Sequence, residues 1–79
     1  MDNVVKRRVI LTFPQELLKE PVIHNLGQQF NVVTNIHLAD ITEDRGWLIV
    51  ELEGDEKQID DGLAWVMTKG VKVDPVTEC

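Results

Sequence analysis

With 79 residues the chain has room for one domain, read here as residues 1–79 with a core over about 4–75; at this size only about 60% of the unfolded surface is buried, so self-association would help it. Apolar residues make up 43% and charged residues 28%, which excludes a disordered chain, and the net charge of −6 argues against nucleic acid as the main partner. The single cysteine, Cys79, excludes an internal disulfide, a CxxC redox pair or a zinc cage and reads as a free thiol; no leader and no apolar run of about 20 residues is present, so a cytoplasmic protein with no membrane insertion is expected.

The first strand is predicted over residues 4–13. Val5, Val9, Leu11 and Phe13 lie on one face and Lys6, Arg8 and Thr12 on the other, the period of a half-buried strand. Arg7 interrupts the apolar face near the start, where a long side chain reaches water. Lys6-Arg7-Arg8 reads as solubility and edge protection for this strand. Residues 15–20 form a turn or short helix, because Pro21 cannot sit inside a helix without losing a hydrogen bond. Pro21 instead opens the main helix, whose stripe is Val22, Ile23, Leu26 and Phe30, with Gly27 on the same stripe predicting close approach to the sheet.

The second strand, over residues 31–42, loses its phase midway. Val32, Ile36 and Leu38 are even, then Ala39 and Ile41 are odd, the one-residue shift of a β-bulge. Residues 43–46 form a turn with Gly46 free to take positive φ. The third strand, over residues 47–53, sets Leu48, Val50 and Leu52 against Trp47, Ile49, Glu51 and Glu53. Asp55 is a good N-cap for a second helix with the stripe Ile59, Gly62, Leu63, Val66 and Met67; Trp65 lies off the stripe and Lys69-Gly70 marks the end. Val71 and Val73 begin a last strand that Pro75 closes.

The order βαββαβ predicts an α+β, ferredoxin-like sandwich: a four-stranded antiparallel sheet with both helices on one face and right-handed crossovers. The other face is then open, and the alternation puts Ile10, Asn35, His37, Trp47 and Ile49 on it. A tryptophan and two isoleucines on an uncovered sheet make an apolar patch, which marks a contact site, and Asn35 and His37 add the few polar groups that orient a ligand. Ile10, Trp47 and Ile49 are therefore the candidate interface residues. The alternative is that Trp47 only caps the end of the core.

Catalysis finds no support. The chain has no serine, its one thiol is at position 79, and His37 and Asp40 are three apart in a strand, pointing to opposite faces unless a bulge intervenes. Glu51, Glu53, Asp55, Glu56, Asp60 and Asp61 lack the spacing of a calcium loop, and no glycine-rich phosphate loop occurs, so no metal, cofactor or enzyme activity is expected.

An ordered set of short stretches runs from Val9 to Val73: Leu11-Thr12-Phe13, Glu20-Pro21-Val22-Ile23, Phe30-Asn31-Val32, Asn35-Ile36, Ala39-Asp40-Ile41, Gly46-Trp47, Glu53-Gly54-Asp55 and Gly70-Val71-Lys72-Val73. In these the chain resembles the NIL domain, named for an Asn-Ile-Leu motif and found as the C-terminal regulatory domain of methionine-importer ATPase subunits. The resemblance implies a ferredoxin-like fold, a homodimer, and an amino-acid ligand such as methionine or a related sulfur metabolite bound near the motif strand, as in a regulatory module. The motif falls on Asn35, Ile36 and His37, the last standing where the family has leucine. With no Walker sequence among its residues, the chain reads as a free-standing copy. A module docking on a separate transporter, enzyme or redox partner is the other reading.

Overall fold

The computed structural model describes residues 4–76; Cys79 lies outside them. The chain order is β1 (Val4–Pro14), a single 3-10 turn (Gln15–Leu17), α1 (Val22–Phe30), β2 (Val33–Ile41), β3 (Arg45–Asp55), α2 (Glu56–Thr68) and β4 (Lys72–Pro75). The four strands form one antiparallel sheet in the order β2-β3-β1-β4. This is the predicted α+β arrangement, with each helix carrying the chain across one intervening antiparallel strand.

The two central strands have the cleanest alternation, and that is why they are central. On β1, Val9, Leu11 and Phe13 are buried; on β3, Leu48, Val50 and Leu52 are buried. Cross-strand pairing sets Val9 beside Val50 and Leu11 beside Leu48, so one face of the sheet is a continuous aliphatic floor. Val22 and Leu26 of α1 and Ile59, Leu63 and Val66 of α2 close over it. The register agrees with Lys6-Arg7-Arg8 protecting an edge: β4 pairs only with Val9–Thr12 of β1, so on that side the triplet lies beyond β4, and Arg7 and Arg8 also pair with Asp60 and Glu51.

Helix ends follow local chemistry. The Asp55 carboxylate accepts the Lys57 N–H at 2.8 Å, capping α2 as expected. Replacing Asp55 by alanine is expected to cost about 1 kcal/mol in urea unfolding, with the m-value unchanged. At the other end, the Gly70 N–H donates to Met67 O at 3.0 Å and the Val71 N–H to Val66 O at 3.4 Å, a Schellman closure with Gly70 at φ +103°. α1 ends on Asn31 in the left-handed region, at φ 52°, so β2 begins at Val33 rather than at 31.

Three local expectations are corrected. Met67 is 53% exposed and lies outside the core stripe. Gly46 does not have positive φ; it is needed because a Cβ there would sit 2.8 Å from Leu18 Cδ2 and 3.1 Å from Ile41 Cγ1. The close approach predicted at Gly27 is to the Val32 carbonyl just before the sheet, while Gly62 marks a close approach of the two helices: its Cβ would meet Leu26 Cδ1 at 2.7 Å.

The β2–β3 hairpin turns on Thr42. Its hydroxyl donates to Arg45 O at 2.9 Å and accepts from the Arg45 N–H at 3.3 Å, while its own N–H donates to Arg45 O at 2.8 Å. The bulge in β2 is real, but its place shifts. Pairing jumps from Ile36↔Val50 to Leu38↔Ile49, so His37 is the extra residue. Leu38 therefore joins the open face, not the face of Ile36 as its even number suggested. The reason is that every residue of β2 except Thr34 is exposed, so burial does not fix the phase of this strand as it does on β1 and β3.

Candidate functional site

The open face is best read as rows of side chains across the sheet, because cross-strand partners share a face. Its middle row runs Ile10–Ile49–Leu38, from β1 to β2. The row on the hairpin side is Thr12–Trp47–Asp40, and the row on the other side is Arg8–Glu51–Asn35. β4 adds Asp74 beside Ile10 and Lys72 beside Thr12.

His37 sits at the bulge, between the Asn35 and Leu38 rows. Its Nε2 is 3.5 Å from Glu51 Oε1, and Arg8 Nη2 approaches the same oxygen at 3.4 Å. Both distances are at the long end for a hydrogen bond, so the three groups form a loose polar network with Glu51 at its centre. The Glu51 side chain is only 18% exposed, whereas His37 is 41% exposed and available from solvent. An aliphatic row thus lies between an indole and a polar cluster that carries both a cation and an anion. Such a surface can hold an apolar side chain along the Ile10–Ile49–Leu38 row and orient a polar head at Asn35, His37 and Glu51.

The structure brings Ile10, Asn35, His37, Trp47 and Ile49 onto one face, where the alternation put them. It separates Ile36, which pairs with Val50 and points to the helix side, 56% exposed. Sequence reasoning missed Leu38, hidden by the misplaced bulge, and although it set Arg8 and Glu51 on the faces they occupy, it did not count that pair among the site residues. The signal for the pair was present, since Arg8 shares its parity with Ile10, and Glu51 shares its parity with Trp47 and Ile49.

A separate apolar concavity of about 150 Å3 opens on the helix side, where the 3-10 turn meets the hairpin; Phe13, Leu18, Ile41, Gly46 and Leu48 are among its walls. None of the predicted site residues lines it. Among the described residues no group of three or more His, Cys, Asp or Glu is placed to hold a metal ion, and no helix is long and apolar enough to cross a membrane.

Comparison with known proteins agrees with this architecture. The chain is 29% identical over 80 residues to the methionine import ATP-binding protein MetN of Bacillus subtilis, an alignment covering 96% of this chain and 24% of that protein. The chain therefore spans about a quarter of the length of the curated relative it matches. The crystal structure of the C-terminal domain of an ABC transporter ATP-binding protein from Enterococcus faecalis superposes with a TM-score of 0.81 at 23% identity, covering 92% of this chain and 86% of that one, which establishes the shared fold. The family model of the NIL domain matches residues 7–75, from the arginine that pairs with α2 to the proline that ends β4, and the chain belongs to the NIL domain family.

Proposed function

We propose that this domain is a non-catalytic regulatory module of the cytoplasm that forms a homodimer and binds a small amino-acid ligand, methionine foremost, over the motif strand. The observation that carries this reading is the placement of Asn35 and His37 on the open face, beside the aliphatic row Ile10–Ile49–Leu38. The family membership and the similarity to a methionine import ATP-binding protein support it. A thioether chain suits such a row, since it is flexible, polarizable and favourable against an aromatic edge such as that of Trp47. Asn35 offers both amide donors and a carbonyl acceptor to the α-carboxylate and α-ammonium. His37 in place of the motif leucine adds a polar contact at the head-group end.

The test is a thermal-shift titration of the purified chain with L-methionine and a panel of other amino acids, repeated by calorimetry. L-methionine is expected to raise Tm in a concentration-dependent way, and Asn35→Ala to abolish the rise without lowering the Tm of the free protein by more than about a few degrees, as suits an exposed position. The absence of both shift and heat across the panel would refute the ligand reading.

A further inference from the structure

Along β2 one residue stands out of the ladder. Its neighbours pair one to one with β3, and His37 falls between the pairs Ile36↔Val50 and Leu38↔Ile49. A bulge re-aims the side chain it carries, and bulges gather beside functional surfaces. Here that side chain is an imidazole, the group that ordinarily changes charge between about pH 5 and 8. It lies on the open face with Nε2 3.5 Å from Glu51 Oε1.

The fixed charges beside it balance. On β3 the open face carries Glu51 and, one row further, Glu53; on β1 it carries Arg8 and Lys6 opposite them. On β2 itself Asp40 stands beyond Leu38, in the row of Thr12 and Trp47. Lys72 and Asp74 of β4, one of each sign, lie on the far side of β1, and the helices cover the other face. In the rows of Arg8 and Lys6 two cations thus face two anions, so a proton on His37 takes the local sum from zero to +1. A zwitterionic amino acid needs both signs at its head. Glu51 supplies the anion for the α-ammonium. The cation for the α-carboxylate is harder to find, because the chain as a whole carries −6 and the Arg8 guanidinium is already drawn to Glu51 at 3.4 Å.

We infer that His37 makes ligand capture on this face proton-linked: the imidazolium receives the α-carboxylate while Glu51 holds the α-ammonium, so a zwitterionic amino acid binds more tightly as pH falls through the titration of this ring. The inference rests on the ligand reading above and deepens it by naming how the site is regulated. Its sign follows from linkage. A ligand that prefers the protonated ring raises the ring's affinity for that proton by the same factor. Affinity is therefore highest where the free ring is already protonated, declines as pH rises past that point, and levels off once the ring of the complex has lost its proton too. A leucine at this position offers an apolar contact and no charge, so binding to such a site is flat with pH.

The experiment is calorimetric titration of the full chain with L-methionine across about pH 5.5 to 8, at one ionic strength and in two buffers of unlike ionisation heat. Affinity is expected to fall roughly tenfold over that range, and the heat near the middle of it to differ between the buffers because binding takes up protons. His37→Leu should still bind, with a flat profile. His24→Gln, on the helix side beside the concavity, should titrate as the parent does. In parallel, the ring signals of His37 in a nuclear magnetic resonance titration should move to a higher midpoint when L-methionine is added, by the factor that the calorimetry reads. If His37→Leu does not fold, the ring signals decide alone. A flat profile in the unaltered chain, a slope that survives in His37→Leu, a slope that His24→Gln removes, or a His37 midpoint unmoved by ligand would overturn the inference and leave amino-acid binding itself intact. No heat at any pH would remove both.

Discussion

Leu26→Ala is expected to remove about 2–5 kcal/mol of stability, a large share of the roughly 4–12 kcal/mol usual for a domain of this length. Leu26 is fully buried on α1, and its Cδ1 lies where a side chain on Gly62 of α2 would begin. Shortening it removes three carbons from a close contact between the helices and leaves a void in the core. The same contact acts on Gly62→Ala in the opposite sense: the added methyl obliges Leu26 to shift, an overpacking cost of about 1–3 kcal/mol set against a helix-propensity gain of about 1 kcal/mol. Combined, the two changes should compensate, the Gly62→Ala methyl occupying part of the space that Leu26 vacates. A double-mutant cycle in urea is expected to show a favourable coupling of about 1 kcal/mol or more. Strict additivity would mean that the helices do not meet at this pair.

Gly70→Val should lower Tm by roughly 10 °C, from a cost of about 2 kcal/mol at 4–8 °C per kcal/mol. At φ +103° a β-branched side chain collides with its own backbone. The Schellman closure also fixes where α2 releases the chain into β4, so strain there disturbs both the Gly70–Met67 and Val71–Val66 bonds. The graded series is the sharper test. Asn should be tolerated better than Ala, and Ala better than Val, because the asparagine side chain is suited to left-handed backbone. A flat series in differential scanning calorimetry would show that the helix end does not depend on this closure.

Where burial was strong, the sequence was readable. Val9, Leu11, Phe13, Leu48, Val50 and Leu52 alternate without interruption, and each is buried as its parity required. Asp55 and Lys69-Gly70 marked the ends of α2 because capping is local chemistry, legible without knowing the partner elements. β2 was harder, and for a physical reason: an edge strand that touches the core only lightly has no inside and outside to print a phase on its residues. The bulge was foreseen from the drift of apolar positions, yet its site fell at His37 and took Leu38 to the other face. Gly46 was misread in another way. A glycine in a hairpin suggests a backbone need, but here the need comes from Leu18, distant in sequence and brought in by the 3-10 turn. Of the six candidate site residues, Ile10, Trp47 and Ile49 share a face because parity alone decided them on β1 and β3, and Asn35 and His37 join them from β2. Ile36 does not, because a motif of three consecutive strand residues must divide between two faces.

The central position of β1 has a consequence for how the chain reaches this structure. β1 precedes all its partners, and its neighbours arrive late: Val4 waits for Asp55 and Val9 for Pro75. The hairpin of β2 and β3 closes over a few residues, but the sheet cannot be completed until nearly the whole domain is available. Pairings this distant in sequence slow folding relative to helical chains of equal length. During that interval an apolar strand is present with both its edges vacant, the condition under which growing chains associate wrongly. Lys6, Arg7 and Arg8 occupy that strand. The cationic triplet, which in the finished domain lies on the part of β1 that β4 does not cover, also sits where it keeps β1 soluble while the rest of its sheet is still to come.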